Sequence, residues 1–201
     1  MRFLLMYLFL MSGAAFADAC TNSPRPFWST ACGDPLSRAV TLEMEALISA
    51  VRDNPLQHPG TWAAHGMRAE MVYQQLNACQ AEADPHACLL SVAAGFIAEL
   101  RSSPQLPADY SGLSRAPVDL LCPAYARPFQ LTRLDTDPAL IWAVPGNTLL
   151  THDPAVRDVF YGGNGADGPI ELGITPSGQV MLTGLTGHPM PCMIRDEDIL
   201  R

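Results

Sequence analysis

Six cysteines, five histidines and one glycine-rich run are the residues of this chain whose types and spacing invite chemistry. Cys20, Cys32, Cys79, Cys88, Cys122 and Cys192 contain no C-x-x-C, and none lies beside a histidine pair, the arrangement a tetrahedral zinc site needs; Cys88, two residues after His86, comes nearest. An even set of cysteines in an exported chain predicts three disulfides. Six cysteines allow fifteen connectivities, and closeness along the chain selects Cys20–Cys32, Cys79–Cys88 and Cys122–Cys192. The last of these closes a loop of about 70 residues, for which chain entropy alone suggests roughly 4 kcal/mol of stabilisation. Among His58, His65, His86, His152 and His188 there is no H-E-x-x-H, and no serine sits in G-x-S-x-G. His58 and His65 flank the start of a helical pattern and read as a metal-free surface pair. Gly162 to Asp167 matches the opening of a calcium nonapeptide repeat, but once only and with Pro169 at the apolar position, so it reads as a hairpin loop. With no lysine it is no P-loop. These residues predict no enzyme, no cofactor and no metal site.

The chemistry left is that of a binding protein, and the ends and charge of the chain say where it works. Arg2, the apolar run Phe3 to Met11 and the small-residue ending Ala15-Phe16-Ala17 form a secretory signal, with cleavage expected after Ala17. All twelve basic residues are arginine; losing Arg2 leaves eleven against twenty acidic residues, a mature net charge of −9. Such a balance excludes nucleic acid as a partner, which requires a basic stripe, and suits a cationic one. The h-region is too short to span a bilayer, so the mature chain is expected to carry no integral membrane segment and to reside in the periplasm.

Two kinds of element must position any site. Asp34-Pro35 opens a helix whose Leu36, Val40, Met44, Leu47, Ile48 and Val51 share one face, ending at Asn54-Pro55. A second helix is predicted from about Thr61 to Cys79, with Ala64, Met67, Met71 and Ala78 turned inward. Asp84-Pro85 opens a third, burying Leu89, Val92, Ala93, Phe96 and Ile97 down to Leu100. Residues 18–103 therefore form a helical domain, and the Ser- and Pro-rich stretch 104–119 a linker or strap. Beyond it the pattern alternates: 129–134, 139–144, 148–151, 156–161, 170–174 and 179–185 are strand-length runs separated by turn residues, which predicts an antiparallel sandwich or barrel over 120–201. Cys122 is expected just before the first strand and Cys192 just after the last. Trp142 falls in a strand and reads as barrel core; Phe27-Trp28 reads as packed across the helices. The fold class is α+β: a disulfide-stapled three-helix domain followed by an antiparallel β-barrel closed by a disulfide.

Two resemblances follow. From Cys20 to Arg101 the order is a cysteine, then Cys32-Gly33-Asp34-Pro35-Leu36 opening a helix, a second helix ending in Cys79, and Cys88-Leu89 in a third. This resembles the LprI-like periplasmic domain, associated with lysozyme inhibition. The family's Gln-x-x-Trp is replaced here by Ala69 and Val72. From residue 120 to 192 the chain resembles the MliC family of c-type lysozyme inhibitors, on Leu121-Cys122, Asn147 to Leu150, the strand ending in Tyr161-Gly162, Gly178 to Leu182 and Pro191-Cys192.

The resemblance implies a small β-barrel that inhibits a c-type lysozyme by inserting a loop into its cleft. That loop aligns with Pro154 to Tyr161, where the tyrosine alone matches, and the family's later lysine aligns near Pro176-Ser177. The implied partner-binding residues are Arg157, Asp158, Tyr161 and Ser177: the guanidinium to pair bidentately with a cleft carboxylate, the two hydroxyls to hydrogen-bond. The implied partner is a cationic protein, a c-type lysozyme. The alternative is an envelope interaction module, an accessory subunit that has lost the inhibitory loop.

Overall fold

The computed structural model describes residues 20–21, 23–156, 158–165, 168–185 and 188–200. The expected signal segment, 1–17, lies outside them. Among the described residues the named elements run α1 (Phe27–Gly33), α2 (Pro35–Arg52), α3 (Pro59–Ala78), α4 (Pro85–Arg101), then β1 (Val118–Leu121), β2 (Phe129–Leu134), β3 (Leu140–Val144), β4 (Thr148–His152), β5 (Val159–Gly165), β6 (Gly168–Ile174), β7 (Val180–Thr183) and β8 (Met190–Ile194). The chain is thus α+β, a disulfide-containing helical lobe followed by a closed antiparallel barrel.

Each long helix starts with the same device, a capping side chain followed by proline at the first helical position. The Asp34 carboxylate accepts from Ser37 N at 2.7 Å, Asp84 from Ala87 N at 3.0 Å, and the His58 ring from Gly60 N at 3.1 Å. A cap contributes about 1 kcal/mol. The buried stripe of α2, Val40, Met44, Leu47 and Val51, outweighs it at roughly 2 kcal/mol per side chain. Helix α3 corrects the expected inward face. Met67 and Met71 are 67% and 55% exposed and Ala64 and Ala78 point out, while Ala69, Val72, Tyr73 and Leu76 are buried. The helix carries two apolar stripes, and the one with Val, Tyr and Leu removes more area from water when it turns inward.

The short helix α1, absent from the expected set, carries Cys32 and so forms the second half of the Cys20–Cys32 loop. Phe27 is fully buried and stacks on Tyr73, ring centroids 5.9 Å apart, so the Phe27-Trp28 pair packs against the helices. Cys79–Cys88 ties the end of α3 to the start of α4.

The barrel is an eight-stranded meander, each strand antiparallel to the next, closed by β1 against β8 with Leu120 opposite Ile194. Leu120, Leu131, Ile141, Leu150, Phe160, Leu172, Val180 and Leu182 belong to its core. The cysteines sit differently from expectation. Cys122 follows β1 and Cys192 lies within β8, so the disulfide reinforces the closing strand pair. Strand β8 hides in the sequence because Pro191 interrupts it, and β1 because it begins inside the stretch 104–119 read as a linker. The run read as a hairpin loop is strand as far as Gly165. A Cβ at Gly162 would collide with the Leu149 carbonyl, so glycine lets β5 cross β4 closely.

Trp142 also departs from the barrel-core position expected of it. It sits on the outer face of the barrel, in one core with Leu134, Leu140 and the helices, rather than inside the barrel. A Cβ on Gly95 of α4 would stand 3.0 Å from its ring, so the glycine lets the indole seat on the helix. The stretch 104–119 bridges the lobes as a strap. The buried Glu43 carboxylate of α2 accepts from Leu113 N at 2.9 Å, Ser114 N at 3.0 Å and the Ser114 hydroxyl, while Arg115 N donates to Arg133 O of β2 at 2.8 Å.

Candidate functional site

One end of the barrel collects most of the expected contact residues. The loop after β4 turns on Asp153, whose carboxylate accepts from Ala155 N at 2.7 Å while its own N–H donates to Val159 O at 3.0 Å. The loop ends at Asp158, which adopts φ 59°, a left-handed conformation that short polar side chains tolerate. The turn after β6 is built on Thr175: Gly178 N donates to its carbonyl at 2.8 Å, Gln179 N to its hydroxyl at 3.1 Å, and that hydroxyl shares a 2.8 Å hydrogen bond with Ser177. Gly178 at φ 81° supplies the backbone reversal.

The two loops meet. Ile174 N donates to Asp158 O at 3.2 Å, and between them lies a groove of about 490 Å³ lined by Val156, Asp158, Glu171, Thr175, Pro176 and Met181. Gly173 makes the approach possible, because a Cβ there would stand 2.9 Å from the Val159 side chain. The charged residues among the described lining, Asp158 and Glu171, are both acidic.

Of the four expected contact residues, the structure brings three to this end. Asp158 lines the groove, and Ser177 is exposed at the tip of the neighbouring turn. Tyr161, half-buried on β5, stands directly opposite Glu171 of β6, one two-residue step from the loop. Desolvation, and then repulsion from Glu171 and Asp153, hold its phenol above the usual range. It is therefore a hydroxyl donor at neutral pH. Arg157 lies outside the described residues.

The histidines are engaged singly. His58 caps α3, His65 approaches Gln105 Oε1 at 3.4 Å, and His152 meets Phe160 edge-on at 5.3 Å. Among the described residues no group of three His, Cys, Asp or Glu is placed to hold a metal ion. One cluster escaped sequence reasoning. Ser37 Oγ lies 3.2 Å from His86 Nδ1, and the Asp34 carboxylate takes the Ser37 N–H. The three residue types are those of a nucleophilic triad, but Asp34 does not orient the imidazole and Ser37 is fully buried, so the cluster caps a helix and offers no nucleophile to substrate. Its only sequence signal was the repeated Asp-Pro start of two helices. No helix among the described residues is long and apolar enough to cross a membrane. Comparison with family models, curated proteins and solved structures returns no match.

Proposed function

We propose that this protein is a periplasmic binding protein that inhibits a c-type lysozyme by occluding its active-site cleft. One observation carries the reading: the two loops that the MliC resemblance assigns to inhibition stand side by side on a barrel whose closing strands are pinned by Cys122–Cys192. A rigid scaffold loses little freedom on binding, which is what a loop inserted into a cleft needs. The acidic groove and the negative charge of the chain favour encounter with a cationic enzyme. Arg157, the one basic residue between Pro154 and Tyr161, is assigned to a cleft carboxylate, with Tyr161 and Ser177 as hydroxyl contacts.

A turbidity assay with c-type lysozyme tests this. Micromolar protein slows lysis, and Arg157→Ala weakens inhibition at least tenfold; lysis at the uninhibited rate overturns the proposal. Glu171→Lys lowers the association rate at low salt, with the loss shrinking as salt screens the groove.

The second reading, an envelope accessory module, draws on α3, whose Met67 and Met71 are exposed one turn apart, with Ala63 and Ala64 a turn before them. Exposed apolar stripes of this kind mark protein contacts. A stoichiometric membrane partner copurifying from the native envelope, without lysozyme inhibition, favours it.

A further inference from the structure

Between α3, α4 and the outer face of β2 and β3 runs a second cleft, of about 560 Å³, far from the loops at the barrel end. Its floor is the rung where Thr132 pairs with Trp142. Both residues are almost wholly buried, 2% and 6% exposed, yet neither the Thr132 hydroxyl nor the Trp142 indole N–H makes a hydrogen bond within the described residues. Neither atom is among the polar atoms sealed from solvent, so both open onto the cleft that their residues line. Two side chains otherwise sealed by protein thus turn their polar atoms into the cleft, where water or a ligand completes their hydrogen bonding.

The walls define its chemistry. Gln75 of α3, Gln130 of β2 and Asn147 of the β3–β4 turn line the walls of the cleft as exposed side chains, their amides without protein partners among the described residues. Each amide is both donor and acceptor, as a peptide group is. The charged pair at the rim, Arg68 and Glu99, is already joined by three hydrogen bonds of 2.7 to 3.0 Å, so the cleft carries no uncompensated charge. Trp142 and Phe96 present no open ring face on which a sugar could stack, both being buried. The volume lies within the ordinary range for ligand sites, which favour the seams between domains.

We propose that this cleft binds an extended, uncharged peptide segment, held by the Trp142 indole N–H, the Thr132 hydroxyl and the side-chain amides of Gln75 and Gln130. The site is independent of the lysozyme reading.

The test is a ¹⁵N NMR titration of the intact, disulfide-bonded protein with capped tetrapeptides spanning the uncharged amino acids, with chitotetraose alongside. The Trp142 indole signal and the backbone amides of residues 130–132 shift saturably with some tetrapeptides at submillimolar concentration. Thr132→Val and Trp142→Phe each weaken binding at least fivefold while keeping a dispersed spectrum. Should Trp142→Phe fail to fold, Thr132→Val with Gln130→Ala carries the same prediction. No shift with any tetrapeptide, which would leave the cleft merely hydrated, overturns the proposal. So do shifts with chitotetraose alone, or peptide shifts that survive Thr132→Val with Gln130→Ala.

Discussion

Two carboxylates set local stability along α2, Asp34 at its N-cap and Glu43 at its middle. Asp34 is held below the usual carboxylate range first by the Ser37 backbone N–H, with His86 adding a favourable charge. A depressed folded value means stability that is fully present above the unfolded value, near 4, and lost as pH falls through the lower folded one. Asp34→Asn should therefore narrow the gap between urea midpoints at pH 7 and pH 3; an unchanged gap would remove Asp34 from the acid transition. Glu43 is buried and gathers donors from the strap, two of them backbone N–H groups. Burial first, then the Glu43 charge, pushes the Tyr110 phenol up. Replacing the carboxylate with an amide turns one acceptor into a donor facing donors. Glu43→Gln should cost about 3 kcal/mol in urea unfolding, and a loss below a tenth of that would mean the strap is held otherwise.

At the scale of elements, the contact between α4 and β3 decides how the lobes sit. Gly95 leaves room for the Trp142 ring, and a side chain there meets the indole at 3.0 Å. A Cβ alone asks its neighbour to yield a few tenths of an ångström. Two further methyls ask more, and overpacking of this kind costs about 1–3 kcal/mol. Gly95→Val should lower the melting temperature and change the near-ultraviolet dichroism of tryptophan while far-ultraviolet dichroism stays native. Native near-ultraviolet dichroism in that variant would show that the ring has space to spare.

At the scale of the whole molecule, the lobes share one core rather than meeting through a flexible joint. Leu134, Leu140 and Trp142 of the barrel lie in the helical cluster, and the strap is bonded to both lobes. Shared burial couples their unfolding. Urea transitions followed by far-ultraviolet dichroism and by tryptophan fluorescence should coincide; two separated transitions would mean lobes that fold independently.

Much of this was legible in the residues themselves. Asp34-Pro35 and Asp84-Pro85 announced two helix starts, because capping and proline geometry are local, and six of eight strands showed in alternation bounded by turn residues. Turns at Asp153-Pro154 and Pro176 to Gly178 stood out, although the strand expected from residue 156 begins only at Val159. Their meeting across a groove did not, since barrel closure is a long-range event. The inward face of α3 and the side of the sheet taken by Trp142 were undetermined for the same reason. Each offers two apolar choices along the chain, and only the neighbour that packs against one of them makes the selection.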